Sequence, residues 1–262
     1  MAVTGFESRR ERGVSTITLK SAGGPVISLA HYLDLVDAMT GEALRHDVGA
    51  VLLTGGTGTF LFGMDINEII RLETAEAVRG RTARVQDLLN QLEASRVPIV
   101  CAVDGVCYGG GLELVLACHV VFATPEASFA LPEITHGTIP SFGGTQRLTR
   151  IIGRNRALQV MLSGKPFSAR DAHDWGLVGR VSPSGEIMAE ASKFCERIAA
   201  LSRPAVSSLL AATLQGLDGP MERGLSLESA RSSDLAGGAD LQEGISAFFE
   251  KRRPKFPSAA TS

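Results

Sequence analysis

Ile99-Val100-Cys101-Ala102-Val103-Asp104-Gly105 runs on through Val106-Cys107 into Tyr108-Gly109-Gly110-Gly111-Leu112-Glu113-Leu114-Val115-Leu116. The first run is apolar, follows Pro98 and ends at an Asp-Gly turn, which predicts a buried strand. The second predicts a helix beginning near Gly110, on which Leu112, Leu114, Val115 and Leu116 surround Glu113 and leave it no wet face. An isolated glutamate in a helix is more often a solvated residue. Here the apolar neighbours argue for burial, which costs free energy and raises a carboxyl pKa towards neutrality.

Further along, Phe129-Ala130-Leu131-Pro132-Glu133-Ile134 places a second glutamate just beyond a short strand, where chemistry is often sited. The glycine-rich turn Gly137-Thr138-Ile139-Pro140-Ser141-Phe142-Gly143-Gly144 follows it. Two carboxyl groups in such settings can serve as general acid and general base on one substrate. Gly109-Gly110-Gly111 lets the backbone approach a ligand, and the free N–H groups of a helix start can hold an oxyanion.

Outward from this centre, Val14–Leu19, Ala50–Thr54 and Val120–Ala123 read as strands, and Leu29–Leu44 and about Thr74–Ala94 as helices. This alternation predicts an α/β domain with mostly parallel strands. After about residue 142 strand signals nearly vanish. Helices are expected near 143–151, 154–163, 168–175 and 185–201. Ser202-Arg203-Pro204 makes a joint before three more, at 205–216, 220–235 and 240–252. No internal sequence repeat is visible. The segments are read as a core over 1–201, a helical region over 202–256 and a flexible tail over 257–262.

The chain has 262 residues and a formal net charge of -2, so charge supplies no reason to expect nucleic acid. Cys101, Cys107, Cys118 and Cys195 lack CxxC spacing and read as core thiols rather than metal ligands or disulfides. No apolar run is long enough to span a membrane, and Met1–Arg12 has no hydrophobic signal core. A reducing compartment, the cytoplasm, is expected. Gly55-Gly56-Thr57-Gly58-Thr59 lacks the ending of a P-loop and reads as a turn closing a strand. His31, His46, His119, His136 and His173 lack ligand spacing and read as structural. Lys251-Arg252-Arg253 and Lys255 could meet phosphates, although a basic run at a helix end is more often simply solvated.

Taken together, the chain resembles the enoyl-CoA hydratases of the crotonase superfamily from about Val14 to Phe256. The resemblance rests on Phe60-Leu61-Phe62-Gly63-Met64-Asp65-Ile66-Asn67-Glu68, Pro98–Asp104, Tyr108–Leu116 and Leu131-Pro132-Glu133. It continues through Gly137–Pro140, Gly143-Gly144-Thr145-Gln146-Arg147-Leu148 and Glu243–Arg252. Each segment alone is weak; in this order and spacing they are highly specific. The resemblance implies an α/β spiral of ββα repeats, followed by C-terminal helices that build a trimer or a hexamer of paired trimers. It implies an acyl-CoA thioester substrate, no metal and no resident cofactor, with coenzyme A arriving as part of the substrate. It places an oxyanion hole on the backbone N–H groups of Met64 and Gly110, and catalysis on Glu113 and Glu133. Ile27, Phe62, Gly63, Asp65, Ile66, Gly109, Ser141, Phe142, Phe248 and Lys251 would line the acyl-CoA path.

This chain departs from the family pattern at several positions. Phe62-Gly63-Met64-Asp65 stands where Ala-Gly-Ala-Asp is common, Ser141-Phe142 replaces Gly-Ala, Ile27-Ser28 replaces Asn-Ala, and His119 replaces Asp. Met64 and Phe142 predict a narrowed acyl pocket. Hydration of a 2-enoyl-CoA is the leading expectation. The alternatives are an enoyl-CoA isomerase working through Glu133, a specialised lyase, hydrolase or decarboxylase, and a non-catalytic acyl-CoA or RNA binder on the same fold.

Overall fold

In the computed structural model, which describes residues 2–21, 26–56, 58–65, 67–68 and 74–260, the strands Ala50–Thr54 and Ile99–Val103 are buried at every position. A parallel strand covered on both faces must read as a continuous apolar run, and both do. Successive side chains serve opposite faces. Ala50, Leu52, Val100, Ala102 and Phe122 pack with Ile187, Ala191, Cys195 and Ala199 of a helix on one side. Val51, Leu53, Cys101, Val103 and Val121 enter the main core on the other. Each large apolar side chain buried this way contributes roughly 1.5–3 kcal/mol.

The described strands form two sheets. The larger runs in spatial order Arg180–Val181, Val120–Ala123, Ile99–Val103, Ala50–Thr54, Val14–Ser21, Ala2–Glu11, Val26–Ile27 and Gly63–Met64. The smaller runs Phe167–Ser168, Ser128–Ala130, Val106–Tyr108 and Thr59–Leu61. The consecutive stretches 99–116 and 120–152 each give one strand to the larger sheet, one to the smaller and then a helix. Ala50–Thr54 and Thr59–Leu61 begin the same way, with Gly63–Met64 returning to the larger sheet before the helix Ala75–Glu93. Ile99–Val103, Val106–Tyr108 and the helix Gly110–Leu116 form one such unit. This is the spiral of ββα units, present in the fold although no repeat is visible in the sequence.

The helices are α1 (Leu29–Ala43), α2 (Ala75–Glu93), α3 (Gly110–Leu116), α4 (Gly144–Ile152), α5 (Arg154–Ser163), α6 (Ala169–Asp174), α7 (Ile187–Ala199), α8 (Arg203–Leu217), α9 (Met221–Asp234) and α10 (Ala239–Phe249). Ser28 caps α1 and Thr74 caps α2 through side-chain oxygens. Ser202 caps α8 by accepting from the Ala205 N–H, so the expected joint at 202–204 is a helix start. No described helix is long and apolar enough to cross a membrane.

The fold corrects three expectations. Ala2–Glu11, not read as structured, is a strand paired antiparallel with Val14–Ser21. Short strands do occur beyond residue 142, at Phe167–Ser168 and Arg180–Val181. The tail is not free over 257–260. Ala260 is buried and its N–H donates to Ala199 O, while the Ser258 hydroxyl accepts from the Arg203 N–H and donates to the Asp240 carboxylate. A small side chain and backbone groups anchor this stretch, and neither produces an apolar pattern in sequence.

Candidate active site

The site begins with glycines. A Cβ on Gly111 would stand 2.2 Å from Leu61 O, and one on Gly63 would stand 2.6 Å from Gly110 N. Only a backbone without side chains lets the start of α3 press against the segment 61–64 this closely. Every residue of α3 is buried, so Glu113 has the dry surroundings its neighbours predicted.

Glu113 Oε1 accepts from two backbone amides, Phe142 N–H at 2.7 Å and Gly144 N–H at 2.8 Å. Burial is the main influence on its pKa, pushing it up to about 7. The Gly144 N–H opposes this, the negative charge of Glu133 adds to it, and the Phe142 N–H and Arg147 oppose it further. Gly144 must lack a side chain, because its Cβ would lie 2.9 Å from Glu113 Oε1. Behind this turn the Arg147 guanidinium donates to Phe142 O at 3.2 Å, Glu93 Oε2 at 2.9 Å and Asn90 Oδ1 at 2.6 Å. Gln86 Nε2 of α2 donates to Ser141 O at 2.8 Å. The turn is thus pinned to α2 on its outer side and wrapped around one carboxylate on its inner side.

Glu133 opens a 3₁₀ turn, Glu133–His136, after Pro132. Its Oε2 is buried with no hydrogen-bond partner, and burial raises its pKa. Gly109 has φ 52°, and a Cβ there would lie 3.2 Å from Glu133 Oε1. The carbonyl of the same glycine accepts from the Glu113 N–H at 3.0 Å, so Gly109 adjoins the Glu133 carboxylate and holds the Glu113 backbone.

The expected oxyanion donors are on backbone suited to the role. Gly110 is the first residue of α3, whose N–H has no intrahelical acceptor. Gly63–Met64 is the edge of the larger sheet, paired in parallel with Val26–Ile27. Asp65 N–H donates to Ile27 O at 2.9 Å. In a parallel ladder alternate residues bond to the same neighbour, so the Met64 N–H is directed to the open edge. Glu68 Oε2 accepts from the Leu29 N–H at 2.7 Å and ties this segment to the start of α1.

Other expected residues fall in two groups. Ile27, Gly63 and Phe142 are buried in or beside this cluster. Phe62 stacks on Tyr108 with ring centroids 5.3 Å apart, and Asp65 Oδ1 accepts from the Asn67 N–H at 2.9 Å. Ile66 lies outside the described residues. Phe248 and Lys251 stand apart at the end of α10, both exposed. No described hydrogen bond, ion pair or ring contact joins either to the glutamates; Phe248 packs only against the Phe249 ring among described aromatics.

Two residues escaped the sequence reading. Tyr32 of α1 is fully buried, donates its hydroxyl to Gly110 O at 3.0 Å and lies 5.8 Å from the Phe142 ring. Arg147 was visible within its motif, but without its role. The signal for Tyr32 was a phenol inside an apolar helical stripe, which needs a partner for its hydroxyl. His119 is structural, as expected. Its Nδ1 accepts from the Ile99 N–H, its Nε2–H donates to Glu93 O, and burial lowers its pKa and keeps it neutral.

A pair of carboxyls raised by burial beside free backbone donors, on a two-sheet spiral, defines a crotonase-type protein. The family model for Enoyl-CoA hydratase/isomerase matches residues 9–259, and the chain belongs to that family. A probable mitochondrial enoyl-CoA hydratase of Dictyostelium discoideum is 37% identical over 211 residues, covering 79% of this chain and 74% of that protein. A probable enoyl-CoA hydratase of Bacillus subtilis is 36% identical over 210 residues, covering 80% and 81%. The crystal structure of an enoyl-CoA hydratase from Bacillus anthracis superposes with a TM-score of 0.91 at 30% identity, covering 97% of this chain and 100% of that one.

Proposed function

We propose that this protein is an enoyl-CoA hydratase that adds water across the 2,3 double bond of a trans-2-enoyl-CoA. The observation carrying the reading is the pair Glu113 and Glu133, both raised in pKa by burial and close enough for the charge of one to act on the other. The thioester carbonyl sits at the Met64 and Gly110 N–H groups. As water adds at the β-carbon, charge moves onto that oxygen; losing one such donor costs about 3–4 kcal/mol. Ionised Glu113 orients the water and takes its proton. Glu133, whose Oε2 has no protein partner, serves as the acid and delivers a proton to the α-carbon. The product is a 3-hydroxyacyl-CoA, and no resident cofactor enters the scheme.

The rival is an enoyl-CoA isomerase. Its support is the unpartnered Glu133 Oε2, which can carry a proton between carbons by itself. Loss of the conjugated thioester absorbance across a panel of trans-2-enoyl-CoAs, with Glu113→Ala and Glu133→Ala alongside, decides between them. Hydration abolished by both changes supports the hydratase. Isomerisation surviving in Glu113→Ala replaces it.

The proposal extends to assembly and place. Leu209, Leu217, Met221, Leu225 and Ile245 are exposed on α8, α9 and α10. A cluster of exposed large apolar side chains marks an interaction surface. It supports a trimer or hexamer built on region 202–256, within which Phe248 and Lys251 would reach a neighbouring acyl-CoA. Sedimentation velocity tests it. The cysteines, all free thiols, suit a cytoplasmic location.

A further inference from the structure

The buried stripe of α2 is Val85, Leu89 and Leu92. One turn earlier, where helical spacing calls for another apolar residue, stands Arg81. Its Nε is buried without an acceptor, and the Oγ1 of the adjacent Thr82 is also buried and unpaired. No carboxylate among the described residues forms an ion pair with Arg81. A buried donor left unpaired is costly, and more so on a charged group. Such a group in a folded protein calls for an explanation.

The location supplies one. Arg81 Cζ lies over the Phe142 ring, 6.0 Å from its centroid. That ring's Cδ2–Cε2 edge lies 3.6 Å from the position of a Gly110 Cβ, and the Phe142 N–H holds Glu113. One aromatic ring therefore connects the guanidinium to the reaction centre. At 6.0 Å a cation–π contact is at the outer limit of its range, and it uses none of the N–H donors. Glu113, held by the Phe142 N–H, already has two backbone amide donors. Burial alone lowers the Arg81 pKa, and no neighbouring charge offsets it.

We propose that Arg81 selects the substrate: the acyl chain carries a carboxylate at its far end, which the Arg81 fork receives beside Phe142. The substrate class is then a short unsaturated dicarboxylic acid joined to coenzyme A through one carboxyl group. Arg matches carboxylate geometry with two parallel N–H donors, where Lys offers a point charge. This assignment rests on the enoyl-CoA reading of the site and deepens it.

The test separates the two. Binding is measured first with unreactive saturated thioesters, glutaryl-CoA against pentanoyl-CoA, on wild type, Arg81→Lys and Arg81→Met. Wild type should bind glutaryl-CoA about 10- to 100-fold more tightly. Arg81→Met should bring the ratio near one, and Arg81→Lys should restore part of it. Turnover of glutaconyl-CoA against trans-2-pentenoyl-CoA should show the same preference in kcat/KM. Glutaryl preference without hydration of either enoyl thioester would sink the hydratase reading and leave Arg81 as the carboxylate site. A wild-type ratio of one, or a ratio unchanged in Arg81→Met, would overturn the proposal. The wild-type comparison stands even if a variant fails to fold.

Discussion

Glu113 and Glu133 are within electrostatic reach of each other, yet the regions that hold them differ in kind. Glu113 stands on a wholly buried helix, and the turn 140–144 wraps its Oε1 with two amides while Arg147 braces that turn from behind. Glu133 stands on a 3₁₀ turn with one oxygen buried and unpaired. Fixed donors favour the charged form and fix its place; a dry, unpaired oxygen favours the proton and leaves it free to move. On the hydratase reading proposed above, the wrapped carboxylate would be the base and the unwrapped one the acid.

The largest effect should come from filling the wrap. In Gly144→Ala the new Cβ would stand 2.9 Å from Glu113 Oε1 and 3.0 Å from Pro140 Cβ, so the carboxylate or the turn must move. A displacement of this kind costs about 100-fold in kcat. In Gly109→Ala the Cβ would lie 3.1 Å from Phe62 O and 3.2 Å from Glu133 Oε1, at a φ of 52° that strains any side chain. The strain should lower stability, whereas the loss of kcat at the site should be smaller, because the Glu133 side chain can yield. Steady-state kinetics on the two variants checks the order. A reversal would mean that Glu133, not Glu113, is the rigid partner.

Next comes the brace. Arg147→Met leaves Phe142 O, Asn90 and Glu93 without their cation and should destabilise the fold by on the order of 2–4 kcal/mol. It also removes a positive charge that holds the Glu113 pKa down. The base must be ionised in the free enzyme, so wild-type kcat/KM should rise with pH through about 7. In the variant that rise should move to higher pH. An unmoved limb would show that Arg147 shapes the turn without influencing the carboxylate charge.

Glu113 also links pH to stability. Its folded pKa, about 7, lies above its unfolded value, so the folded protein binds more protons between them. Stability from this group is present below the unfolded pKa and is lost as pH rises through about 7. Glu113→Gln keeps an oxygen for the two amides and removes the titration. The variant should therefore gain on wild type by on the order of 3 kcal/mol between pH 4 and 9. Thermal melts across that range check it; parallel curves would mean that water reaches the wild-type carboxylate.

The two regions were not equally legible. Glu113 could be read because α3 is short and apolar on every side, so one local stretch stated its burial. Glu133 could be read because Pro132 and the following glycines mark the end of a strand. What holds them could not. The amides of Phe142 and Gly144 are far along the chain from Glu113, and Arg147 reaches back to Asn90 and Glu93. Such contacts leave no periodicity. The same limit hid most strands of two or three residues, too short to alternate; Ser128–Ala130, marked by Pro132, is the exception. Ala2–Glu11 was hidden because most of its outer half is charged and exposed, and pairing with Val14–Ser21 makes it a strand.

The smallest effect tests a link between the regions. Tyr32→Phe keeps the ring against Phe142 and removes only the hydroxyl that donates to Gly110 O. One buried hydrogen bond contributes about 1 kcal/mol net, and Gly110 O remains available to its own helix. Stability should fall by that amount, and kcat by severalfold as the first turn of α3 loosens. The change leaves both carboxylates with their described partners, so the pH dependence of kcat/KM should not move. A loss as deep as that of Gly144→Ala would mean that the helix start, rather than the wrapped carboxylate, limits the reaction. The contrast between the two glutamates would then be secondary to the donor that both of them flank.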